Sequence, residues 1–371
     1  MRIGIDARPL TAKTFAGISY YEYQLVCHWM KQHPEHEYFL MARKDTCFSD
    51  TDLPENWHIV NTPWVIDEGK LWFLFKLPAL IKEHRLDAFW GPNYSLPRKV
   101  KGVAYFLTVH DLALFKFKGI GEWKNAARIK LFLRRVLAKA EKIFAISVST
   151  KRDLHELFHV PDEKVNVTYL SGGDEQSPYT ENAAGQFRDE IGKLRSVFLF
   201  VGTIEPRKNI ETIIRGYEEY AKETEDPLPL VLAGGRGWNC DGIYRMAENS
   251  PFREKILMTG YVTDAEKEAL FQKAKAFLYP SLYEGFGIPV LEAFSRGVPV
   301  ITANNSSLPE VGGDAAFYMD TYDTAALKEY LKKTAAMSAE ELNDLRKRME
   351  KQREKFSWEK CAEETLKLIT E

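Results

Sequence analysis

The stretch SVFLFVGTIEPRKN, residues 196–209, opens with an unbroken apolar run and ends in a polar turn holding Glu205, Arg207 and Lys208. A strand facing water on one side would alternate apolar and polar residues. A continuous apolar run of strand length fits a strand buried on both faces, as in a parallel sheet covered by helices. The same rhythm extends downstream through LPLVLAGG (228–235), KILMTGYV (255–262), AKAFLYP (274–280), VPVITAN (298–304) and AAFYMD (315–320). Upstream it runs through RIGIDA (2–7), YFLMA (38–42), WHIVNT (57–62), DAFWG (87–91), VAYFLTVHD (103–111), KIFAIS (142–147) and VNVTYL (165–170). Helix-compatible segments separate most of these runs, so the chain is predicted to be α/β, with two doubly wound, Rossmann-like domains.

At 371 residues the chain is long for one core, which also favours two domains. The polar stretch SGGDEQSPYTENAAG (171–185) interrupts the alternation and reads as an unburied linker, giving one domain over 1–175 and another over 176–356. After Asp320 the sequence turns helical and charge-rich, and Ser357 is a candidate N-cap for a last helix over 357–371. Residues 1–170 carry 25 Lys and Arg against 19 Asp and Glu, and the remainder 26 against 34, so charges of +6 and −8 make up the −2 of the chain. An excess of that size is too dilute for nucleic acid; it suits an anionic acceptor or a solvated surface. Cys27, Cys47, Cys240 and Cys361 have neither disulfide-framework nor zinc spacing, which fits the reducing cytoplasm. Asp6 and Arg8 stand where a signal peptide needs its apolar core, and no run reaches the length of a membrane span. The segments KNAARIKLFLRRVLAKAEK (124–142) and WVIDEGKLWFLFKLP (64–78) permit peripheral contact with the inner face of a membrane. Core packing nevertheless accounts more simply for the apolar face of Ile129, Phe132, Leu133, Val136 and Leu137.

Open parallel sheets bind ligands beyond the carboxyl ends of their strands, so chemistry is sought in the loops that follow them. Gly17 precedes a helix where the backbone can approach a phosphate, though an ordinary loop glycine is the simpler explanation. His110 and Asp111 follow a strand end, where a histidine is as often a packing residue as a catalytic one. Arg207 and Lys208 suit a diphosphate, with surface charge as the plain alternative. LAGGRGW (232–238) fits no dinucleotide fingerprint. The backbone of Tyr261 and Val262, at another strand exit, is placed to meet a nucleobase edge, or is simply a turn. In SLYEGFGIPVLEAFSRGVP (281–299), Gly285 and Gly287 disfavour helix and Pro289 suits a first turn, so a loop is predicted through Ile288 and a helix from about Pro289. Glu284 then lies in the loop and Glu292 in the first turn, beside backbone N–H groups that attract an anion. Carboxylates do not hold phosphate; they accept hydrogen bonds from hydroxyls next to one.

Taken together, EGFGIPVLE (284–292), GTIEPRKN, VHDL, GYV and FSW before the last helix resemble the retaining GT-B glycosyltransferases of family GT4, over nearly the whole length. GTIEPRKN and HDL most resemble bacterial mannosyltransferases that build O-antigen or capsule chains from GDP-mannose. The resemblance implies two Rossmann-like domains facing a central cleft, the first on the acceptor side with the last helix packing back on it, the second binding the nucleotide-sugar donor. It makes Arg207 and Lys208 the diphosphate clamp, Glu292 the acceptor of ribose hydroxyls, and Glu284 a partner of the donor sugar. Main-chain groups from Gly285 through Phe286 and Gly287 to Ile288 would reach the donor, as would Gly17, Thr203, Tyr261 and Val262. His110 would act near the sugar and acceptor. Thr203 stands where many relatives have Arg, and Ala16 where a second Gly is common.

The reaction implied is transfer of a sugar from a nucleotide diphosphate to a hydroxyl of a glycan or lipid-linked acceptor, with retained configuration and no metal. Stabilisation of the leaving diphosphate would be the main contribution of the protein. Two other readings stay open: a GT-B-like sugar-nucleotide epimerase, and a noncatalytic nucleotide- or glycan-binding protein.

Overall fold

The computed structural model describes residues 1–11, 17–42, 46–49, 53–61, 71–116, 123–172 and 189–371. Ala16, residues 64–70 of the aromatic segment and 173–185 of the linker lie outside them. The chain divides into two compact units, Met1–Leu170 with Ser357–Glu371, and Ser171–Phe356.

The first unit contains β1 (Arg2–Asp6), β2 (Glu37–Ala42), β3 (Trp57–Asn61), β4 (Ala88–Gly91), β5 (Ala104–Val109), β6 (Lys142–Ala145) and β7 (Val165–Val167). They form one parallel sheet in the order β3-β2-β1-β4-β5-β6-β7. The second contains β8 (Val197–Val201), β9 (Leu230–Ala233), β10 (Ile256–Gly260), β11 (Ala274–Tyr279), β12 (Val300–Ala303) and β13 (Ala316–Met319). These are also parallel, in the order β10-β9-β8-β11-β12-β13. Every apolar run singled out in the sequence contains a strand, and β4, β9 and β12 are buried along their whole length. Burial on both faces is why no polar alternation marks them.

In each sheet the order reverses beside the first strand of the unit, between β1 and β4 and between β8 and β11. Connections leave in opposite directions there, which opens a crevice at the carboxyl ends. The strand exits are packed tightly: Gly234, at φ 154°, sits where a Cβ would meet the carbonyl oxygen of Gly202 at 1.8 Å. Only glycine lets the β8 and β9 exits approach so closely.

The helix Trp358–Thr370 belongs to the first unit and packs on the helix Ile18–Gln32. Trp29 Nε1 donates to the Ala362 carbonyl at 2.9 Å, and Tyr20 meets Trp358 edge-on at 5.6 Å. Ser357 caps the helix by accepting from Lys360 N at 3.0 Å. Contrary to the sequence reading, the start of the linker is buried. Ser171 Oγ donates to the Phe356 carbonyl at 3.1 Å, and Gly172 lies so close to Ile288 that a Cβ would meet its carbonyl oxygen at 3.1 Å.

The basic amphipathic segment also differs from expectation. In the helix Trp123–Lys139, Leu133, Val136 and Leu137 are core residues, but Ile129 is 37% and Phe132 52% exposed. Core packing therefore accounts for only part of the stripe, because the buried face is centred on Leu133 and Leu137 and leaves Ile129, Leu131 and Phe132 outside. Exposed Arg128, Arg134 and Arg135 lie on the same helix.

Beneath the β1 exit lies Glu22, fully buried, with neither carboxyl oxygen hydrogen-bonded. Its neighbour Asp6 is engaged by Arg8 at 2.7 and 2.6 Å. Burial, reinforced by Asp6, pushes the Glu22 pKa well above its ordinary value of 4.5, although Arg8 pulls it down. The neutral acid is thus the folded form. Its contribution is fully present below the ordinary value and is lost as pH rises towards the folded value, because the unfolded chain ionises first. Each pH unit in that window costs about 1.4 kcal/mol. Glu22→Gln should remove this slope, so the melting temperature of the variant gains on the wild type as pH rises above the ordinary value of 4.5. Parallel curves would show that Glu22 ionises normally.

Candidate functional site

The crevice of the second unit is built from the exits of β8 and β11. After β8 the chain enters the short turn Pro206–Lys208, then Asn209 in the left-handed region at φ 57°, then the helix Ile210–Lys222. Asn tolerates that conformation better than most residues, and here its side chain is also used. Nδ2 donates to the carbonyls of Pro280 at 3.0 Å and Thr321 at 2.5 Å, while Oδ1 accepts from Thr212 at 2.7 Å. Leu282 N donates to the Arg207 carbonyl at 2.8 Å. The two exits are therefore joined through backbone as well as side chains.

Lys208 is buried and donates to Glu284 Oε1 and to the Tyr279 hydroxyl, both at 2.7 Å. Arg207 donates from Nε to Glu205 at 2.9 Å, and from Nη1 to Glu284 Oε2 at 2.9 Å and the Tyr283 carbonyl at 3.1 Å. Its Nη2 lies 2.7 Å from Glu205. The sequence thus brings Arg207, Lys208 and Glu284 into one cluster. Among the described residues, the outer Nη2 hydrogen of Arg207 and the third ammonium hydrogen of Lys208 are the donors left for an anion.

Burial opposes charge on all three groups. For Glu284 it is outweighed by Lys208 and Arg207, which hold the carboxyl below its ordinary range. Arg207 is raised despite burial, by Glu284 and then Glu205. Burial lowers the Lys208 pKa even though Glu284 opposes it. The arrangement is a network of compensated buried charges, stable only while its members remain together. Tyr279, pushed well up by burial and then by Glu284, stays a neutral phenol.

The loop after Glu284 is held from behind. Glu284 N donates to Ser306 Oγ at 3.0 Å, and the one hydroxyl hydrogen of buried Ser307 is shared between the carbonyls of Glu284 at 2.9 Å and Phe286 at 2.5 Å. Gly285, Phe286 and Gly287 are buried and Ile288 half-buried. Gly287 turns the chain at φ 123° into the helix Ile288–Ser295, with Pro289 in the first turn. This helix starts one residue earlier than the sequence predicts, so Glu292 lies in the second turn, not the first. Glu292 does not join the Arg207 cluster; its Oε1 is 3.3 Å from Lys267 Nζ. At neighbouring exits, Tyr261 is 80% exposed and Val262 buried, and Thr203 is exposed beside Gly237.

In the first unit, Gly17 starts the helix Ile18–Gln32 at φ 56°, with nothing within 4 Å of where a Cβ would be. His110 follows β5 and is buried, its Nε2 2.7 Å from the Pro92 carbonyl. A carbonyl only accepts, so Nε2 carries the proton and Nδ1 is the acceptor. Burial lowers its pKa to about 4, against the Pro92 hydrogen bond, so the ring is neutral at physiological pH. Its ring lies edge-on to Tyr21 at 5.0 Å.

Sequence reasoning missed Tyr279, Asn209 and Ser307. Tyr279 was visible as a polar-tipped aromatic closing an apolar strand before Pro280, and Asn209 as an Asn between a turn and a helix; nothing local marks Ser307. It also found no D-x-D arrangement that would hold a bridging Mg²⁺, whereas Asp50, Thr51 and Asp52 are a D-x-D tripeptide, outside the described residues. Among the described residues no group of three or more His, Cys, Asp or Glu is placed to hold a metal ion. No helix among them is long and apolar enough to cross a membrane.

The sequence model of Glycosyltransferase Family 4 matches residues 16–170, and that of Glycosyl transferases group 1 matches residues 186–356. The chain is 31% identical over 314 residues to O-antigen chain mannosyltransferase B of Escherichia coli, covering 79% of this chain and 81% of that one. It is 32% identical over 228 residues to the serotype-specific mannosyltransferase WbdA of Escherichia coli, covering 60% of this chain and 28% of that longer one. Sucrose-phosphate synthase from Thermosynechococcus elongatus has the same fold, with a TM-score of 0.74 at 17% identity over 99% of this chain and 98% of that one. With one family model on each sheet, and a 31% identical relative matched over most of both lengths, the protein belongs to the family 4 glycosyltransferases and its two doubly wound units are those of the GT-B fold.

Proposed function

We propose that this glycosyltransferase moves mannose from GDP-mannose to a hydroxyl of a glycan or lipid-linked acceptor, with retained configuration and without a metal, in cell-surface polysaccharide synthesis. The observation that carries the reading is the cluster of Arg207, Lys208 and Glu284 at the switch point of the second sheet. The mannosyltransferase names of the two Escherichia coli relatives support the sugar.

In this mechanism Glu284, fixed as a carboxylate, accepts hydrogen bonds from sugar hydroxyls. The remaining donors of Arg207 and Lys208, with the N–H groups at the start of the helix Ile288–Ser295, meet the diphosphate. Their attraction grows as the bond from the anomeric carbon to phosphate oxygen breaks, which favours the transition state over the bound substrate. The acceptor oxygen bonds to the anomeric carbon on the face the phosphate leaves, and its proton passes to the departing phosphate oxygen. Neutral His110 offers Nδ1 to a hydroxyl; with its pKa near 4 it serves better as a hydrogen-bond acceptor than as the proton store.

The reading places the protein in the cytoplasm, against the inner face of the membrane. Exposed Ile129, Leu131 and Phe132 beside Arg128, Arg134 and Arg135 support it.

Melting curves with GDP, UDP, dTDP or ADP, in chelator, test donor and metal together. GDP alone should raise the transition, and a requirement for added Mg²⁺ would overturn the metal-free reading. Transfer from GDP-mannose should need acceptor and fall about 10²–10³-fold in Lys208→Ala; product without acceptor would favour an epimerase, and normal transfer by that variant would remove Lys208 from the clamp. Glu284→Gln leaves buried Lys208, and half-buried Arg207 beside it, short of counter-charge and should destabilise the second unit by about 3–5 kcal/mol in urea unfolding. Phe132→Ser should weaken sedimentation with anionic vesicles and leave nucleotide binding unchanged; equal sedimentation would sink the membrane assignment.

A further inference from the structure

Glu292 belongs to a second polar cluster, on the helices Ile288–Ser295 and Asp264–Lys273. Its carbonyl accepts from Ser295 Oγ and from Arg296 Nη1, both at 2.8 Å. Arg296 Nε donates to Glu268 at 2.6 Å, and the guanidinium lies over the Phe271 ring at 4.9 Å. The backbone under Glu292 is thereby fastened to the neighbouring helix. Its carboxylate is different: among the described residues only Lys267 Nζ reaches it, at Oε1, and Oε2 is left open. Lys267 comes from the segment that follows the exposed Tyr261. Its helix is fixed by a capping box, with Thr263 accepting from Glu266 N at 3.2 Å and Glu266 accepting from Thr263 N at 2.9 Å.

A glutamate with one anchored carbonyl still rotates freely about its terminal torsion. A lysine on one oxygen fixes that rotation while leaving lone pairs on both oxygens. Two adjacent hydroxyls on one ring, as on ribose, can then donate to the pair of oxygens. Lys267 is also half-buried, so its charge is screened less than that of a surface lysine.

We infer that Lys267 is a positioning residue for ribose recognition: it holds the Glu292 carboxylate in the orientation that selects ribonucleotide over deoxyribonucleotide donors. The inference rests on the reading of Glu292 as the acceptor of ribose hydroxyls. Lys267 touches Glu292 and not the reacting bond, so its effect falls on donor affinity and sugar discrimination.

The test is calorimetric titration of GDP against 2′-deoxy-GDP and of UDP against 2′-deoxy-UDP, with wild type, Lys267→Met, Lys267→Arg and Glu292→Gln. In the pair that binds, wild type should prefer the ribonucleotide by about 10- to 100-fold, the worth of a hydrogen bond to a charged acceptor. Glu292→Gln should remove most of that preference. Lys267→Met should cut it several-fold by weakening the ribonucleotide alone, and Lys267→Arg should restore part of it. Wild type binding neither pair, or binding ribo and deoxy forms equally, overturns the reading of Glu292 and this inference with it. A wild-type preference that persists in Lys267→Met, or an equal loss of both nucleotides in that variant, overturns the role of Lys267 alone.

Discussion

The second unit depends on the buried pair of Lys208 and Glu284. Two sequence-distant strand exits approach at the switch point of the sheet, and each delivers a charge that would be untenable alone. Removing either charge strands the other in a largely buried site, so the pair behaves as one object. Asn209, Arg207 and Tyr279 are arranged around it, and each bonds across from one exit to the other. The geometry of the loop 284–287 follows, because Glu284 is its first residue and Ser306 and Ser307 hold its backbone from the far side.

This constraint explains how much was legible in the sequence. The strands could be read because burial on both faces demands unbroken apolar runs, as in VFLFV of β8. Arg207, Lys208 and Glu284 could be read as a group only through the family resemblance; nothing in their separate segments says that they meet. Ser307 could not be read at all, since its value lies in two carbonyls it reaches across space. The N-terminus of the helix Ile288–Ser295 was misjudged by one residue because Gly287, not Ile288, takes the conformation that starts it.

The helix Trp123–Lys139 shows the limit of periodicity from the other side. Its apolar residues recur at helical spacing, and that pattern cannot tell a face that meets the core from one that meets something else. Leu133, Val136 and Leu137 were read correctly as core, whereas Ile129 and Phe132 belong to a neighbouring exposed strip. The sequence held the width of the apolar surface but not the width of the core it meets.

The eight-residue spacing of Glu284 and Glu292 acquires a physical meaning in this structure. One acid sits before the glycine turn and one beyond it, and each has a lysine from a different strand exit: Lys208 after β8 and Lys267 after β10. With Glu205 and Arg207 included, the first cluster sums to no net charge. On the proposed reading a donor diphosphate would meet no free pair of cations, only the donors left over from a neutral network and the helix start beside it. Such a site would attract a resting diphosphate weakly and gain most where negative charge is newly concentrated, as on a phosphate oxygen whose bond to sugar is breaking. On that reading the carboxylates that offset the positive charge of Arg207 and Lys208 would keep substrate binding from consuming the interaction that the transition state needs.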